Sequence, residues 1–437
     1  MTKYYQLSRL TFSLVFLIFL TTNIHAQFSA YHGIIFPYDT PNKVIHSIGS
    51  ITYAFPDYSA NIQNNPVSLS FIQNPRIYIS FNQEISRYSI LKYKYYMYIS
   101  GIEKTKTLPA KKNIYPGFVS GALPFSLFKR SFVIGVSINK THSPEYEIWE
   151  TNKEDPELIF KHQRKGDVWN ATIGICYRLT SDINIGLGWS KWFGNWSWHN
   201  ENTLKTISSE GKFRYFGNVV NIGLIKQSQN LSYCFIFHFP FTLMKADNVS
   251  INLRYGIERY NINQHFNGAF KAGIVYRWNN RFSLSSGYRY QEKASLKQTP
   301  VKIGLGNYER KEEYDMTHQV SIAGEYIFHF KNIKIPTFLA YRAYWWPNVH
   351  SKGYYGVTNY QDFIINDSFF YPINNIALGL NAHFSSFIFH LTGQWNMHSI
   401  SYNLADHPIT ASAMIPKSFK AKKSTFLFNF GVSYDFK

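Results

Sequence analysis

The sequence has only two cysteines, Cys176 and Cys234, too few for a disulfide scaffold. After residue 20 it has no apolar run near the ~20 residues that a membrane-spanning helix needs. Acidic residues are scarce, 26 Asp and Glu against 45 Lys and Arg, for a formal charge of +19. No Gly-rich phosphate loop, His-Glu-x-x-His helix or Cys-x-x-Cys pair occurs, and Gly304-Leu305-Gly306 is not a nucleotide fingerprint. There is no fixed repeat of the propeller or solenoid kind and no Pro/Gly/Ser-rich linker. These absences leave no pattern for a nucleotide-dependent enzyme, a zinc hydrolase, a solenoid or a helical membrane protein.

The N-terminus sets the compartment. Lys3 and Arg9 precede the apolar run Leu10 to Leu20, and Ala26 supplies a small residue ahead of Gln27. That order predicts a secretory signal peptide over 1–26; the run is too short for an anchor. Losing Lys3 and Arg9 lowers the charge from +19 to +17. Behind a signal peptide such charge points to anionic lipid or solute, or to solvated loops, and not to nucleic acid.

Phe, Trp and Tyr make up 18% of the chain, and charged residues only 16%. A barrel with an outward apolar face and aromatic girdles accounts for that balance. The competing reading is a soluble all-β sandwich or propeller. Period-two alternation is clearest at the C-terminus. Phe426, Phe428, Phe430, Val432, Tyr434 and Phe436 share one face; Leu427, Asn429, Gly431, Ser433 and Asp435 share the other. Leu231, Tyr233, Phe235, Phe237, Phe239 and Phe241 read as another outward set, and Ile376, Leu378, Leu380, Ala382 and Phe384 as a third. The opposite faces carry Gly, Ser, Asn and His, which suits a crowded, wet lumen. Cys176 and Cys234 fall on lumen faces three strands apart, a gap of ~14 Å at the usual strand spacing. Disulfides need Cα atoms within ~7 Å, so free thiols are expected.

Six short turns are expected near Ser126–Arg130, Ser181–Asp182, Gln227–Asn230, Asn279–Asn280, Lys331–Asn332 and Ser385–Ser386. They alternate with long polar connections near 101–112, 141–166, 197–211, 242–266, 292–315, 347–372 and 398–423. The pattern predicts an all-β, transmembrane antiparallel barrel of about fourteen strands, with both termini on the short-turn side. The first strand falls within 76–100. The stretch 250–260 could form a strand of its own, which would break the parity. The expected organisation is a signal peptide (1–26), a non-barrel plug segment (27–74) and the barrel (75–437).

The plug segment contains Phe55-Pro56-Asp57-Tyr58-Ser59-Ala60-Asn61-Ile62-Gln63-Asn64-Asn65-Pro66-Val67-Ser68-Leu69. This resembles the N-terminal plug of the FadL family, outer-membrane transporters of long-chain fatty acids and other hydrophobic compounds. Asn65 and Pro66 match the family's Asn-Pro-Ala core; Val67 stands where Ala is usual, and Ser68-Leu69 where Gly-Leu is usual. Ser47-Ile48-Gly49-Ser50 is similar to the family's glycine-rich start. The resemblance implies fourteen strands, a plugged lumen and a lateral exit at a distorted third strand. Here the third strand, Ser131 to Asn139, contains only Gly135 and no proline. The preceding stretch, with Pro116, Gly117, Gly121 and Pro124, is the better place for a break. PorV-like barrels of a secretion machinery share the architecture and are the alternative.

Arg178, Arg277, Arg289, Glu325, Arg342, His383, His390 and Asp435 are expected to face the lumen. Glu325, Arg342, His383, His390 and Asp435 read as a polar network filling it. His390 with Ser433 or Asp435 is the one loose nucleophile-and-base pairing, and two histidines are too few for a metal site. Trp192, Trp196 and Trp198, with Trp189, Trp345 and Trp346, read as an external girdle or as a vestibule for apolar solutes. The sequence-based expectation is a non-enzymatic outer-membrane barrel for passive uptake of hydrophobic small molecules, with neither cofactor nor metal. Its expected partners are outer-membrane lipid and lipopolysaccharide, the barrel-assembly machinery and, on the alternative reading, a periplasmic or secretion protein.

Overall fold

The computed structural model describes residues 62–95, 106–107, 111–142, 146–151, 159–202, 208–253, 256–302, 308–330, 333–345, 349–355, 358–359, 363–365, 373–403 and 416–436. The stretches expected to be signal peptide and, ahead of Ile62, plug segment lie outside them, as does the expected turn at Lys331–Asn332.

Fourteen antiparallel staves close into one barrel. They are β1 (Arg76–Tyr95), β2 (Lys111–Leu127), β3 (Arg130–His142), β4 (Ile159–Arg178), β5 (Ile183–Asn202) and β6 (Ser208–Gln227). Five staves in two pieces follow: β7 (Leu231–His238, Phe241–Leu253), β8 (Gly256–Phe266, Ala269–Arg277), β9 (Phe282–Gln291, Ala294–Lys302), β10 (Tyr308–Tyr314, Thr317–Phe330) and β11 (Ile333–Tyr344, Val349–Tyr355). The last are β12 (Ile373–Phe384), β13 (Phe387–Asn403) and β14 (Pro416–Asp435). Each stave pairs with its sequence neighbour, and β1 pairs with β14 from Arg76↔Asp435 to Tyr95↔Pro416. Closure removes both sheet edges, which a membrane requires. An ion pair from Arg76 to Asp435 and a bond from Phe436 N to Pro75 O (2.9 Å) pin the seam at the short-turn end. The hairpin between β2 and β3 turns on Phe128 and Lys129, both at positive φ, in the two-residue form that matches strand twist.

The alternation read from the sequence sorts the faces. Phe428 and Phe430 on β14, Phe235 and Phe237 on β7, and Leu378 on β12 point outward and are exposed. Asn429, Ser433, Cys234 and Asn381 point inward and are buried. Exposed aliphatic and aromatic side chains on one continuous face form a membrane belt, since lipid takes the place of water there. Arginine in place of Leu378, which is 57% exposed, should lower the unfolding free energy by ~2–4 kcal/mol. Denaturant titration in micelles measures this; an unchanged midpoint would remove residue 378 from the lipid face.

Three expectations need correction. Much of the length read as connections at 141–166, 197–211, 242–266 and 292–315 is strand, because the staves continue past the membrane with the same ladder. The stretch 250–260 belongs to the ends of β7 and β8, so parity survives. Phe241 does not face lipid with Phe239; it is 5% exposed. Pro240 has no N–H to give the ladder, and β7 breaks at Phe239–Pro240. The flanking residues His238 and Phe241 both turn inward, although period two would oppose them.

The same break recurs on the next staves, at Asn267–Gly268, Glu292–Lys293 and Asp315–Met316. Phe266 and Ala269, Gln291 and Ala294, and Tyr314 and Thr317 are the inward flanking pairs. Breaks on adjacent staves bond to each other, Glu292 N to Gly268 O at 3.0 Å and Asn267 N to Lys293 O at 3.3 Å. The result is a crease across the wall. Below it the outward residues are apolar, as at Phe237, Phe270 and Val320. Above it they are polar, as at Thr242, Asn263, His265 and Lys297, so the crease lies at the loop-side edge of the belt.

Candidate functional site

Residues Ile62 to Ile72 sit inside the barrel. Pro66 opens a 3-10 turn, Pro66–Phe71, at a position where its missing N–H costs nothing. The Asn65 side chain makes no capping bond. The Asn65 backbone carbonyl instead accepts from Ser68 N (3.1 Å) and Ser68 Oγ (2.7 Å). Ile62, Val67 and Leu69 are completely buried. They join inward residues of the wall, among them Ala122, Val133, Cys176, Ile225, Cys234, Ile236, Val275 and Phe338, in one apolar core. The short-turn half of the lumen is therefore packed around the plug, and is not the wet channel that its polar faces suggested. Cys176 and Cys234 are free, as expected, and serve as small apolar fillers.

What lets backbone meet backbone here is a floor of inward glycines. Gly135, Gly174 and Gly188 are direct partners across β3, β4 and β5; Gly186 and Gly223 are partners across β5 and β6. A Cβ on Gly135 would lie 2.6 Å from Ile62 Cδ1 and Leu69 Cδ2. One on Gly186 would lie 2.5 Å from Val67 N and 2.6 Å from the Pro66 carbonyl carbon. Around this floor the wall reaches in with hydrogen bonds. Asn221 donates to Gln63 O (2.6 Å), Asn139 to Gln63 Oε1 (2.9 Å) and Gln227 to Ser70 Oγ (3.2 Å). From β8, Lys271 Nζ reaches the backbone and side-chain oxygens of Asn64, each at 3.3 Å. The sequence did carry a signal for this floor. Gly186-Leu187-Gly188 puts two glycines on the polar face of a strand interior, where glycine marks close backbone approach.

Above the plug, at the crease, lies an inward aromatic shelf. Phe241, Phe266 and Tyr314 flank the breaks of the crease, and Trp192, Tyr215 and Tyr344 are further buried inward aromatics on β5, β6 and β11. Phe241 and Phe266 stack, with centroids 4.9 Å apart and planes 14° apart. Trp192 thus faces the lumen and is no part of an outer girdle, whereas Trp189 is exposed toward lipid. Trp196 and Trp198 lie on β5, but their side chains are outside the described residues, as is Trp346.

One lateral irregularity adjoins the plug. The ladder between β2 and β3 runs only from Leu127↔Arg130 up to Phe118↔Asn139. Beyond it, among the described residues, Lys111–Pro116 pairs with β1 alone. The β1 register slips at Gly117, next to Pro116, between Ser80↔Phe118 and Phe81↔Pro116. The break falls in the stretch singled out from the sequence, and Asn139 at its lower lip holds Gln63 of the plug.

The five titratable residues expected to fill the lumen sit at several places on the wall. Asp435 pairs with Arg76 at the short-turn rim, where His383 is an electrostatic neighbour of both. Glu325 is buried on β10 beside the charge of Arg277, and Arg342 is half-buried on β11. His390 bridges three staves, with Nε2 2.8 Å from Ser433 Oγ and Nδ1 2.9 Å from Asn381 Oδ1. That connectivity is that of a nucleophile, base and orienter. However, Ser433 and His390 are 0% exposed, and Tyr78 stands edge-on to the imidazole at 5.1 Å. Both side chains are closed off from solvent in this arrangement, and the trio ties β12, β13 and β14 together.

No family model and no curated protein matches the sequence. Solved barrels do match the fold. A Pseudomonas aeruginosa FadL homologue superposes with a TM-score of 0.60 at 12% identity, over 88% of this chain and 95% of that one. The Pseudomonas putida toluene transporter TodX gives 0.56 at 11% identity, over 90% and 98%. The Ralstonia pickettii toluene transporter TbuX gives 0.50 at 10% identity, over 89% and 98%. The chain has the fold of these barrels.

Proposed function

We propose that the protein is an outer-membrane barrel through which hydrophobic small molecules pass without covalent chemistry. The observation that carries this reading is the plug seated on the glycine floor beside the break between β2 and β3. The buried aromatics at the crease lie above that plug, and a solute would reach them only as the packing around them opens. From Phe266 on the shelf, the next inward positions down β8 are Ala269 and then Lys271, which holds Asn64. Movement of the plug would open a side exit where β2 and β3 part, so an apolar solute need not cross the polar end of the lumen. Long-chain fatty acids suit such a shelf because their chain is apolar, and small aromatics such as toluene suit its rings.

Cells lacking the protein should accumulate labelled oleate or toluene several-fold more slowly than cells that carry it, with sugar uptake unchanged. Equal accumulation of both apolar probes would contradict the reading, and would favour a secretion-associated barrel whose loops bind protein.

A further inference from the structure

We propose that an outward-facing cleft on β5 and β6 binds the phosphorylated headgroup of a lipid in the loop-side leaflet, with Lys191 and Arg214 holding the phosphate. The cleft, of about 490 Å³, is lined by Lys191, Phe193, Asn195, Arg214 and Phe216, around Gly194 and Tyr215. Lys191 and Arg214 are exposed and alternate with buried Trp192 and Tyr215, which places them on the lipid side of the wall. Gly194 sits at φ +151°, and a Cβ there would lie 2.8 Å from Val168 Cα, so this local kink excludes a side chain.

Height in the membrane follows from the strand. The outward residues of β6 run Lys226, Leu224, Ile222, Val220, Asn218, Phe216 and Arg214. From Lys226 to Arg214 is about 40 Å along the strand at ~3.3 Å per residue. At a tilt of ~45° that is about 28 Å along the normal, close to the ~25 Å of an apolar band. Arg214 therefore stands at the loop-side headgroups and Lys226 at the opposite ones. Lys191 starts lower, opposite Asn218, and its ammonium rises to 5.3 Å from the Phe216 ring centroid. This is a cation snorkelling toward the headgroup level over an aromatic face.

Among the described residues no carboxylate pairs with either cation. Asp167, the nearest acid in the ladder, lies opposite Asn195 and is held by Lys140 at 2.6 Å. Two cations with no acid partner among the described side chains suit a phosphate at this level, and a guanidinium grips phosphate with paired donors. Exposed Trp189 and Val220 continue the wall below the cleft, where acyl chains of the same lipid would lie. That favours a lipid over free phosphate. The site is outside the lumen, so it stands or falls apart from the passage.

The test uses the full chain in mild detergent, and lipid A with and without its phosphates as the probes. Native mass spectrometry reads the bound fraction, and unheated gel mobility confirms the folded barrel. The wild type should retain phosphorylated lipid A. K191Q/R214Q should lose affinity for it by about tenfold or more, the scale of one charge-assisted pair. Neither protein should discriminate for the dephosphorylated form, and millimolar inorganic phosphate should not compete. If the double variant lacks folded mobility, R214Q at the water edge carries the test. Equal binding by variant and wild type would overturn the proposal, as would equal binding of both lipids. Displacement by inorganic phosphate would mark a free-anion site instead.

Discussion

Deleting residues 40–70 while keeping 1–26 should leave a barrel that folds and conducts several-fold more current in planar bilayers than the intact protein. The wall does not depend on the plug for its ladder. All fourteen staves pair among themselves, and Ile62 to Ile72 adds no strand to them. What the deletion removes is filler: the completely buried Ile62, Val67 and Leu69, and the bonds to Asn139, Asn221, Gln227 and Lys271. Burial of each such side chain is worth ~1.5–3 kcal/mol, so the deleted barrel should also unfold at lower denaturant. With the plug gone the floor carries only glycine hydrogens, and a fourteen-stave lumen is wide enough to conduct when empty. An unchanged conductance would mean that inward side chains and loops close the lumen, and the plug would lose its role.

Much of the barrel was legible because its signal is local. Alternation at residues 426–436 needs only the pleat of a strand and a membrane outside it, and every inward residue of that run from 427 to 433 is buried. Short turns were legible through their polar pairs. The crease was not, because a two-residue break reverses the alternation, and the change of sense looks the same as continued strand when both faces carry Phe. Pro240 was the visible warning, and it explains why Phe241 was assigned to the wrong face. Strand lengths were underestimated because polar, charged sequence reads as loop, yet a closed ladder continues into water where its edges remain paired. Asn65 and Pro66 marked a tight turn ahead of the first strand, and the turn is there, buried in the lumen. Its seat depends on glycines more than 60 residues away in sequence, which only the closed barrel brings together.

Trp192 shows the same limit from another side. A tryptophan near a strand end fits a girdle and a lumen shelf equally well by composition, and only the register of β5 turns it inward. The trio of Asn381, His390 and Ser433 was half visible as His390 with Ser433. Its meaning depends on exposure, which the sequence does not encode.

In the proposed passage the plug is seated on the glycine floor and must leave it for solute to pass. A cysteine pair tests this directly, since a Cβ built on Gly223 lies 3.4 Å from Val67 Cβ. Disulfides span Cβ atoms about 3.5–4.5 Å apart, so V67C with G223C should close without moving the wall. Cys176 and Cys234 are replaced by Ala to leave a single bridge, which gel mobility after proteolysis reports. In proteoliposomes the oxidised protein should pass labelled oleate and toluene at least tenfold more slowly than after reduction, and reductant should restore the rate. Equal flux through the cross-linked and reduced barrels, or a pair that refuses to cross-link in the folded protein, would contradict the account.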